Sequence, residues 1–147
     1  ERAEYLDIII SESERLSALS MNVLRLSKLE QQCILTDRKA FNLSEQLRRT
    51  IAVLYEKCDR KHLDIDFDCA EITYTGNAEM LDEVWINLLD NAIKFSPEYG
   101  TIRIRITQAA ETAVTFSDEG EGIPDAQKVR IFDKFFQGEC RQMELER

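Results

Sequence analysis

The first 31 residues carry apolar side chains at spacings of three, four and seven, and they contain neither glycine nor proline. Such spacing is typical of a helix with one broad apolar face, so it predicts a long helix over residues 1–31. The apolar stripe comprises Ile9, Leu16, Leu19, Val23 and Leu26. Other helices must cover such a face, but the periodicity alone does not say whether they belong to the same domain or to an intermolecular bundle.

The stretch from residue 33 to residue 67 combines extended and helical patterns. Residues 33–35 predict a short strand or an extended linker, and Asn42 with Glu45 three residues later predicts the N-terminus of a helix. That helix is expected to end near Asp59. Its inward face consists of Leu47, Ile51, Leu54 and Tyr55. Apolar residues then alternate with aspartates over 63–67, which predicts a half-buried strand.

The second half of the chain predicts one long helix among short strands. A strand at 72–74 precedes a helix over 78–95, and strands at 102–106 and 113–116 form a hairpin before a short helical stretch that reaches Phe132. The inward residues of the long helix are Leu81, Val84, Trp85, Leu88, Leu89 and Ile93. Helices and strands do not alternate regularly, so the predicted fold is α+β, with helices on one face of a mixed sheet.

Composition narrows the function classes. The 147 residues carry a formal net charge of −9, which argues against nucleic acid or an anionic membrane surface as the partner. No run of about 18 apolar residues predicts a membrane span. The four cysteines lack C-x-x-C spacing and the chain has one histidine, so a zinc site is not expected. Reduced thiols in a cytoplasmic setting are expected.

Three polar residues share one face of the helix predicted over 78–95. Asn87, Asn91 and Lys94 follow each other at i, i+4 and i+7. An amide oxygen is a hard, neutral ligand for Mg²⁺, and a lysine supplies a point charge for phosphate oxygens. The group therefore has the chemistry to hold a metal-bound triphosphate, although a solvated polar face explains the spacing equally well when it is taken alone.

A second motif, Asp118-x-Gly120-x-Gly122-Ile123, comes directly after a predicted strand. Its glycines allow the backbone to approach a flat ligand and to adopt positive φ, and the carboxylate can accept a hydrogen bond from an exocyclic amino group such as that of adenine. The spacing differs from that of a dinucleotide-binding fingerprint, and no G-K-[ST] of a P-loop follows.

The two motifs together resemble the N box and the first glycine box of the catalytic domain of sensor histidine kinases, in a two-component system. The segment 131–137, IFDKFFQ, is similar to the F box of that family, and residues 1–31 resemble the second helix of its dimerisation and phosphotransfer domain. The resemblance covers residues 1 to about 138. It implies a Bergerat-type α/β sandwich over 32–138, truncated at its C-terminus and followed by a charged tail over 139–147.

The resemblance also implies roles for individual residues. Asn91 and Asn87 are expected to hold Mg²⁺ and the phosphates of ATP, with Lys94 reaching the phosphates. The adenine side is expected to consist of Asp118, Gly120, Gly122 and Ile123. One end of a flexible lid over the nucleotide is expected to be anchored by Phe132, Phe135 and Phe136. Glu83, one turn before Asn87, is expected to be structural.

The sequence departs from the family in three respects. The helix that carries the phosphoacceptor histidine is absent, and His62 lacks the neighbouring residues of an acceptor and is expected to be a surface residue. No second glycine box follows the F box. Glu119 occupies a position where asparagine is usual. No catalytic residue is therefore expected in this chain, which alone is expected to be inactive.

The implied parent function is autophosphorylation of a histidine with Mg-ATP, followed by transfer to an aspartate of a response regulator. The implied partners are ATP or ADP, a response regulator and a second copy of the chain bound through residues 1–31. The chain is expected to be part of the cytoplasmic portion of its parent protein, which a missing segment could anchor in a membrane. The alternatives are a non-catalytic dimerisation or regulator-docking module and an anti-sigma-type serine kinase, although the long leading helix argues against the latter.

Overall fold

The computed structural model describes residues 2–31 and 37–133. The described part contains four helices and five strands. The helices are α1 (Arg2–Gln31), α2 (Leu43–Arg60), α3 (Ala78–Phe95) and α4 (Asp125–Lys128). The strands are β1 (Lys39–Asn42), β2 (Asp64–Phe67), β3 (Thr73–Gly76), β4 (Thr101–Gln108) and β5 (Thr112–Ser117). The predicted helices over 1–31, 43–59 and 78–95 are confirmed to within a residue or two, whereas the extended segment predicted at 33–35 lies outside the described residues.

The strands form two sheets. β4 lies between β2, to which it is parallel, and β5, with which it forms an antiparallel hairpin. This mixed three-stranded sheet confirms the predicted α+β class.

The second sheet pairs β1 with β3, and β1 was missed by the sequence analysis. Its four residues lack β-branched side chains and include one large apolar residue, Phe41, so no alternation marks it as a strand. The strand forms because Phe41 lies opposite Tyr74, with their rings edge to face at 6.0 Å. A tertiary contact, and not local propensity, therefore decides its conformation.

Both ends of α2 are capped. The side-chain oxygen of Asn42 accepts a hydrogen bond from the backbone N–H of Glu45 at 2.9 Å, as the capping pattern predicts. At the other end, the N–H of His62 donates to the carbonyl of Asp59, and the N–H of Leu63 donates to the carbonyl of Cys58. These two bonds define a Schellman motif, with His62 in the left-handed position at φ 52°.

The core lies between the mixed sheet and the two helices α2 and α3. Its most buried side chains are Leu43, Leu47, Cys58, Leu89, Ile102 and Ile104. Burial raises the pKa of the Cys58 thiol above its ordinary value. The prediction that Tyr55 faces inward is wrong: its side chain is 62% exposed, because the inward row of α2 continues from Leu54 to Cys58 at i+4.

Helix α1 keeps most of its apolar side chains in contact with solvent. Leu6, Ile9, Leu16 and Leu24 are each more than half exposed, and only Leu19 and Leu26 of the predicted stripe are half-buried. Within residues 2–31 and 37–133, none of the helices has the length and hydropathy needed to cross a membrane.

Candidate nucleotide-binding site

Helix α3 presents the three polar residues of the N box on its exposed side. The side-chain oxygen of Asn77 accepts a hydrogen bond from the N–H of Met80 and starts the helix. The buried side of the helix consists of Trp85, Leu89, Ala92 and Ile93. Asn87, Asn91 and Lys94 are exposed, as their spacing predicts. Lys94 extends towards Phe95, with its ammonium 5.2 Å from the ring centroid.

Two apolar residues of α3 were placed on the wrong side by the sequence analysis. Val84 and Leu88 were predicted to face inward, but each is 42% exposed. The indole of Trp85 explains the difference, because it fills the space over the sheet and stacks on Phe116 of β5 at 6.1 Å. Val84 and Leu88 consequently flank the polar side of α3 and form an apolar strip beside Asn91.

The glycine motif forms a tight loop directly after β5. One carboxylate oxygen of Asp118 accepts a hydrogen bond from the N–H of Gly120 at 2.8 Å, so the loop itself orients the carboxylate. Gly122 has a φ of 74°, which favours glycine. Ile123, which follows, is 48% exposed.

Gly120 brings this loop against the end of α3. A Cβ atom at position 120 would lie 2.7 Å from the carbonyl oxygen of Phe95, a distance that only glycine avoids. Asp118 is therefore held beside the C-terminal end of the helix that carries Asn87, Asn91 and Lys94. The structure brings the two motifs to the same end of the fold, which sequence spacing alone did not show.

Glu119, which follows Asp118, connects the glycine loop to β4. Oε2 of Glu119 accepts a hydrogen bond from the N–H of Thr101 at 3.2 Å, and Oε1 lies 3.8 Å from Nη2 of Arg103. Glu119 occupies a position where the resembled family usually has asparagine. The structure shows that this side chain ties the glycine loop to the start of β4.

Two lysines that no sequence motif marked contact α3: Lys57 in the last turn of α2, and Lys61 directly after that helix. Nζ of Lys57 donates to Oδ1 of Asp90 at 2.5 Å, so the aspartate between the two asparagines faces α2. Nζ of Lys61 donates to carbonyl oxygens at the end of α3. Cations favour the carbonyls of a helix C-terminus, which suits Lys61, but no local pattern marks its acceptors or the pairing of Lys57 with Asp90.

A groove of about 420 Å³ lies between the N-terminal half of α3 and the β1–β3 sheet. Its lining includes Arg38, Tyr74, Glu83, Val84 and Asn87. Glu83 is half-buried and Asn87 is exposed, so the groove leads from the small sheet to the first residue of the N box. The role of Glu83 remains a prediction.

The sequence of this chain matches a known protein family. Residues 76–146 match the family described as histidine kinase-, DNA gyrase B- and HSP90-like ATPase. The chain contains a sensor histidine kinase ATPase domain.

Relatives and solved structures agree with this assignment. The circadian input-output histidine kinase CikA of Synechococcus elongatus is 30% identical over 139 residues, which are 91% of this chain and 18% of that protein. Sporulation kinase A of Bacillus subtilis is 31% identical over 134 residues, 89% of this chain and 22% of that protein. The histidine kinase ThkA in complex with the response regulator TrrA matches with a TM-score of 0.74 and 27% identity, over 90% of this chain and 40% of that one. The chain thus spans about a fifth of the length of these two curated relatives.

The F-box residues of the ATPase domain are only partly described. Phe132 is 94% exposed and lies in a turn after α4, so nothing in the described residues covers its ring. Phe135 and Phe136 lie outside the described residues. Whether these three rings anchor a lid remains a prediction.

The donor groups of the ATPase domain fit a metal ion that arrives with the nucleotide. Among residues 2–31 and 37–133, no cluster of three or more His, Cys, Asp or Glu side chains is arranged to hold a metal ion. Mg²⁺ in nucleotide sites keeps several waters and takes one or two protein ligands together with phosphate oxygens. The exposed amides of Asn87 and Asn91 offer such a set, because no acidic cage is required.

His62 directly follows Lys61 at the end of α2. Its imidazole is exposed and stacks on Tyr99 at a centroid distance of 4.9 Å, so the prediction of a surface residue is confirmed. The backbone at both positions has positive φ, 52° for His62 and 60° for Tyr99.

Proposed function

We propose that this chain binds Mg-ATP as the ATPase portion of a two-component sensor kinase that autophosphorylates on a histidine. One observation carries the proposal: Gly120 packs against the carbonyl of Phe95, and this contact holds the carboxylate of Asp118 beside the helix that bears Asn87, Asn91 and Lys94. Domains of the matching family bind ATP. A base-recognising carboxylate and a phosphate-recognising helix face are the two components that such a ligand needs.

The phosphate side of the site consists of α3 side chains. Asn91, with Asn87 one turn before it, would bind Mg²⁺ through amide oxygens, and Lys94 would contact phosphate oxygens as a point charge. When bound, the ion would neutralise charge that develops on the transferred phosphoryl group. The protein's own contribution is to hold these three groups on one face of a rigid helix.

The base side of the site consists of the glycine loop. One oxygen of Asp118 is bonded to the N–H of Gly120, which leaves the other oxygen to accept a hydrogen bond from an exocyclic amino group. Gly122 and Ile123 would border the base, since the side chain of Ile123 is half exposed. Phe132, Phe135 and Phe136 would anchor a lid.

Residues 1–31 would serve as the second helix of a dimerisation and phosphotransfer domain, ahead of the ATP-binding domain over 32–138 and the charged tail over 139–147. The exposed apolar side chains of α1 support this assignment, because a surface of this kind is typical of a helix that packs on a partner. The name of the structural relative ThkA records a complex with a response regulator, and we infer a partner of that class for the parent of this chain.

Equilibrium binding of Mg-ATP to the 147-residue chain tests the proposal. We expect measurable binding that Asp118→Ala weakens by roughly tenfold or more, since a hydrogen bond to a charged group is worth about 1.5–3 kcal/mol. Asn91→Ala is expected to remove the dependence on Mg²⁺. Glu121→Ala is the matched control, because Glu121 is an exposed acid of the same loop. If the wild-type chain binds no nucleotide, the alternative of a docking module is favoured.

A further inference from the structure

Lys61 occupies the end of α2 and reaches the end of α3. Its Nζ donates to the carbonyl oxygens of Ile93 at 2.8 Å, Lys94 at 2.9 Å and Ser96 at 2.5 Å. The last carbonyls of a helix have no partner within that helix, and they form the negative end of its dipole. A single half-buried ammonium thus satisfies three acceptors where α3 ends.

The backbone around Lys61 is itself firmly held. The Schellman motif that ends α2 determines where the chain turns, and the N–H of Tyr99 donates to the carbonyl of Lys61 at 3.2 Å. Lys61 therefore makes two kinds of contact here: its ammonium binds carbonyls at the end of α3, and its own carbonyl binds the segment that follows. The residue joins the ends of the two helices into one unit.

One carbonyl in that segment does not bind Lys61. The carbonyl oxygen of Phe95 faces Gly120 of the glycine loop, at a distance that leaves no room for a Cβ atom. The N–H of Gly120 in turn binds the carboxylate of Asp118. The position of Asp118 thus depends on the position of the carbonyls that Lys61 holds.

We propose that Lys61 is a positioning residue for the nucleotide site, acting through the end of α3 on the glycine loop and on Lys94. This inference rests on the proposed function. Lys61 touches no nucleotide group itself. It sets the distance between the phosphate-binding face of α3 and the base-binding carboxylate, because both rest on the carbonyl segment from residue 93 to residue 96.

Lys57 provides a matched control. It lies one turn earlier on α2, carries the same charge and contacts α3 through Asp90. Removing it also removes a cation and a link between the helices, but it leaves the carbonyls at the end of α3 bonded. A general effect of loosening α2 from α3 would appear in both variants, whereas positioning of the loop would be lost only when Lys61 is changed.

The test compares Lys61→Met with Lys57→Met in the 147-residue chain. Hydrogen exchange at the backbone N–H of Gly120 is measured first, and the affinity for Mg-ATP second. For Lys61→Met we expect exchange at Gly120 to rise, and affinity to fall, by about fivefold to tenfold, the scale of a cation at a helix C-terminus. For Lys57→Met we expect less than a twofold change in either quantity. Lys61→Arg keeps the charge and is expected to restore most of the protection.

The exchange rates at Gly120 decide whether Lys61 positions the glycine loop. Equal exchange rates at Gly120 in the two methionine variants would overturn the inference, and so would protection that Lys61→Arg fails to restore while the variant remains folded. If Lys61→Met does not fold, Lys61→Gln, which retains two uncharged N–H donors, is compared with Lys57→Gln by the same measurements. If the wild type binds no nucleotide, the proposed function fails, while the exchange rates still decide whether Lys61 controls the loop.

Discussion

Trp85 of α3 and Gln46 of α2 are joined by a hydrogen bond of 2.9 Å from the indole Nε1 to Oε1 of the amide, and both side chains are buried. The amide nitrogen of Gln46 then donates to the carbonyl of Ala78 at 2.7 Å, in the first turn of α3. Both functional groups of the buried amide are therefore bonded to the N-box helix. This arrangement fixes how α3 is rotated, and with it the side on which Asn87 and Asn91 lie.

Replacing Gln46 tests the importance of that arrangement. Gln46→Leu leaves the indole N–H of Trp85 buried without an acceptor, so we expect the free energy of unfolding to fall by about 1–3 kcal/mol. Urea unfolding measures it. In a double-mutant cycle with Trp85→Phe, the two losses should not add, because each variant removes the same bond. Additive losses would show that this hydrogen bond contributes little to stability. Arg49→Ala, at an exposed position nearby, serves as the control.

The two glycines of the loop should respond differently to substitution. Gly120→Ala places a Cβ atom against the carbonyl of Phe95, and we expect it to destabilise the fold by about 1–3 kcal/mol and to weaken Mg-ATP binding. Gly122 has free space around it but positive φ, so Gly122→Asn should be tolerated, since asparagine adopts that conformation readily. Thermal unfolding and nucleotide titration distinguish the two. Tolerance of Gly120→Ala would mean that the loop does not rest on α3.

His62 offers a test of backbone strain at the end of α2. Because its φ is 52°, we expect His62→Gly to be more stable than His62→Ala by about 1–2 kcal/mol, the cost of the left-handed conformation. Both variants lose the stacking on Tyr99, so their difference isolates the backbone. In the exposed middle of α2, alanine should instead be more stable than glycine. Ala52→Gly should therefore lower the free energy of unfolding by about 1 kcal/mol. Denaturant unfolding gives all three values.

The stability should depend on pH through Asp66 of β2. Nη2 of Arg105 donates to its carboxylate at 2.6 Å and thereby lowers the pKa of Asp66 from its ordinary value of 3.8. Because the folded pKa lies below the unfolded one, the stabilisation is complete above the unfolded value and is lost as the pH falls through the folded value.

We therefore expect Asp66→Asn to be less stable than the wild type at about pH 6, with a difference that shrinks towards about pH 2.5. Unfolding by urea at the two pH values measures it. Asp64→Asn, at an exposed position of the same strand, should show a much smaller change. If Asp66→Asn lowers the free energy of unfolding equally at both pH values, the proposed role of the ion pair is contradicted.

Self-association should depend on the apolar side of α1. Leu16 and Leu24 are 66% and 65% exposed, and we expect the double variant Leu16→Glu, Leu24→Glu to lower the average molecular mass that light scattering gives at ~100 μM, a concentration at which even weak association registers. Asn22→Glu is the control, because this exposed residue lies a third of a turn or more around the helix from both leucines. A monomeric wild type at that concentration would contradict the proposed dimer.

Much of the fold could be predicted because its local signals are strong. The N-cap at Asn42, the 3.6-residue periods of α1, α2 and α3, and the alternation in β4 and β5 are properties of adjacent residues, which short-range sterics and hydrogen bonding decide. The polar face of α3 could be predicted from the same helical period, since residues four and seven positions apart share a side of a helix. The functional roles of those residues stay predictions.

The tertiary structure decided what depends on residues distant in sequence. β1 exists because Phe41 meets Tyr74, and Val84 and Leu88 are exposed because Trp85 fills the core against Phe116. Glu119 binds Thr101 across the sheet, and Lys61 binds carbonyls more than thirty positions later. The sequence by itself determined which elements form and which residues share a face. Only packing could determine which faces meet, because the free energy of burying an apolar surface depends on what covers it.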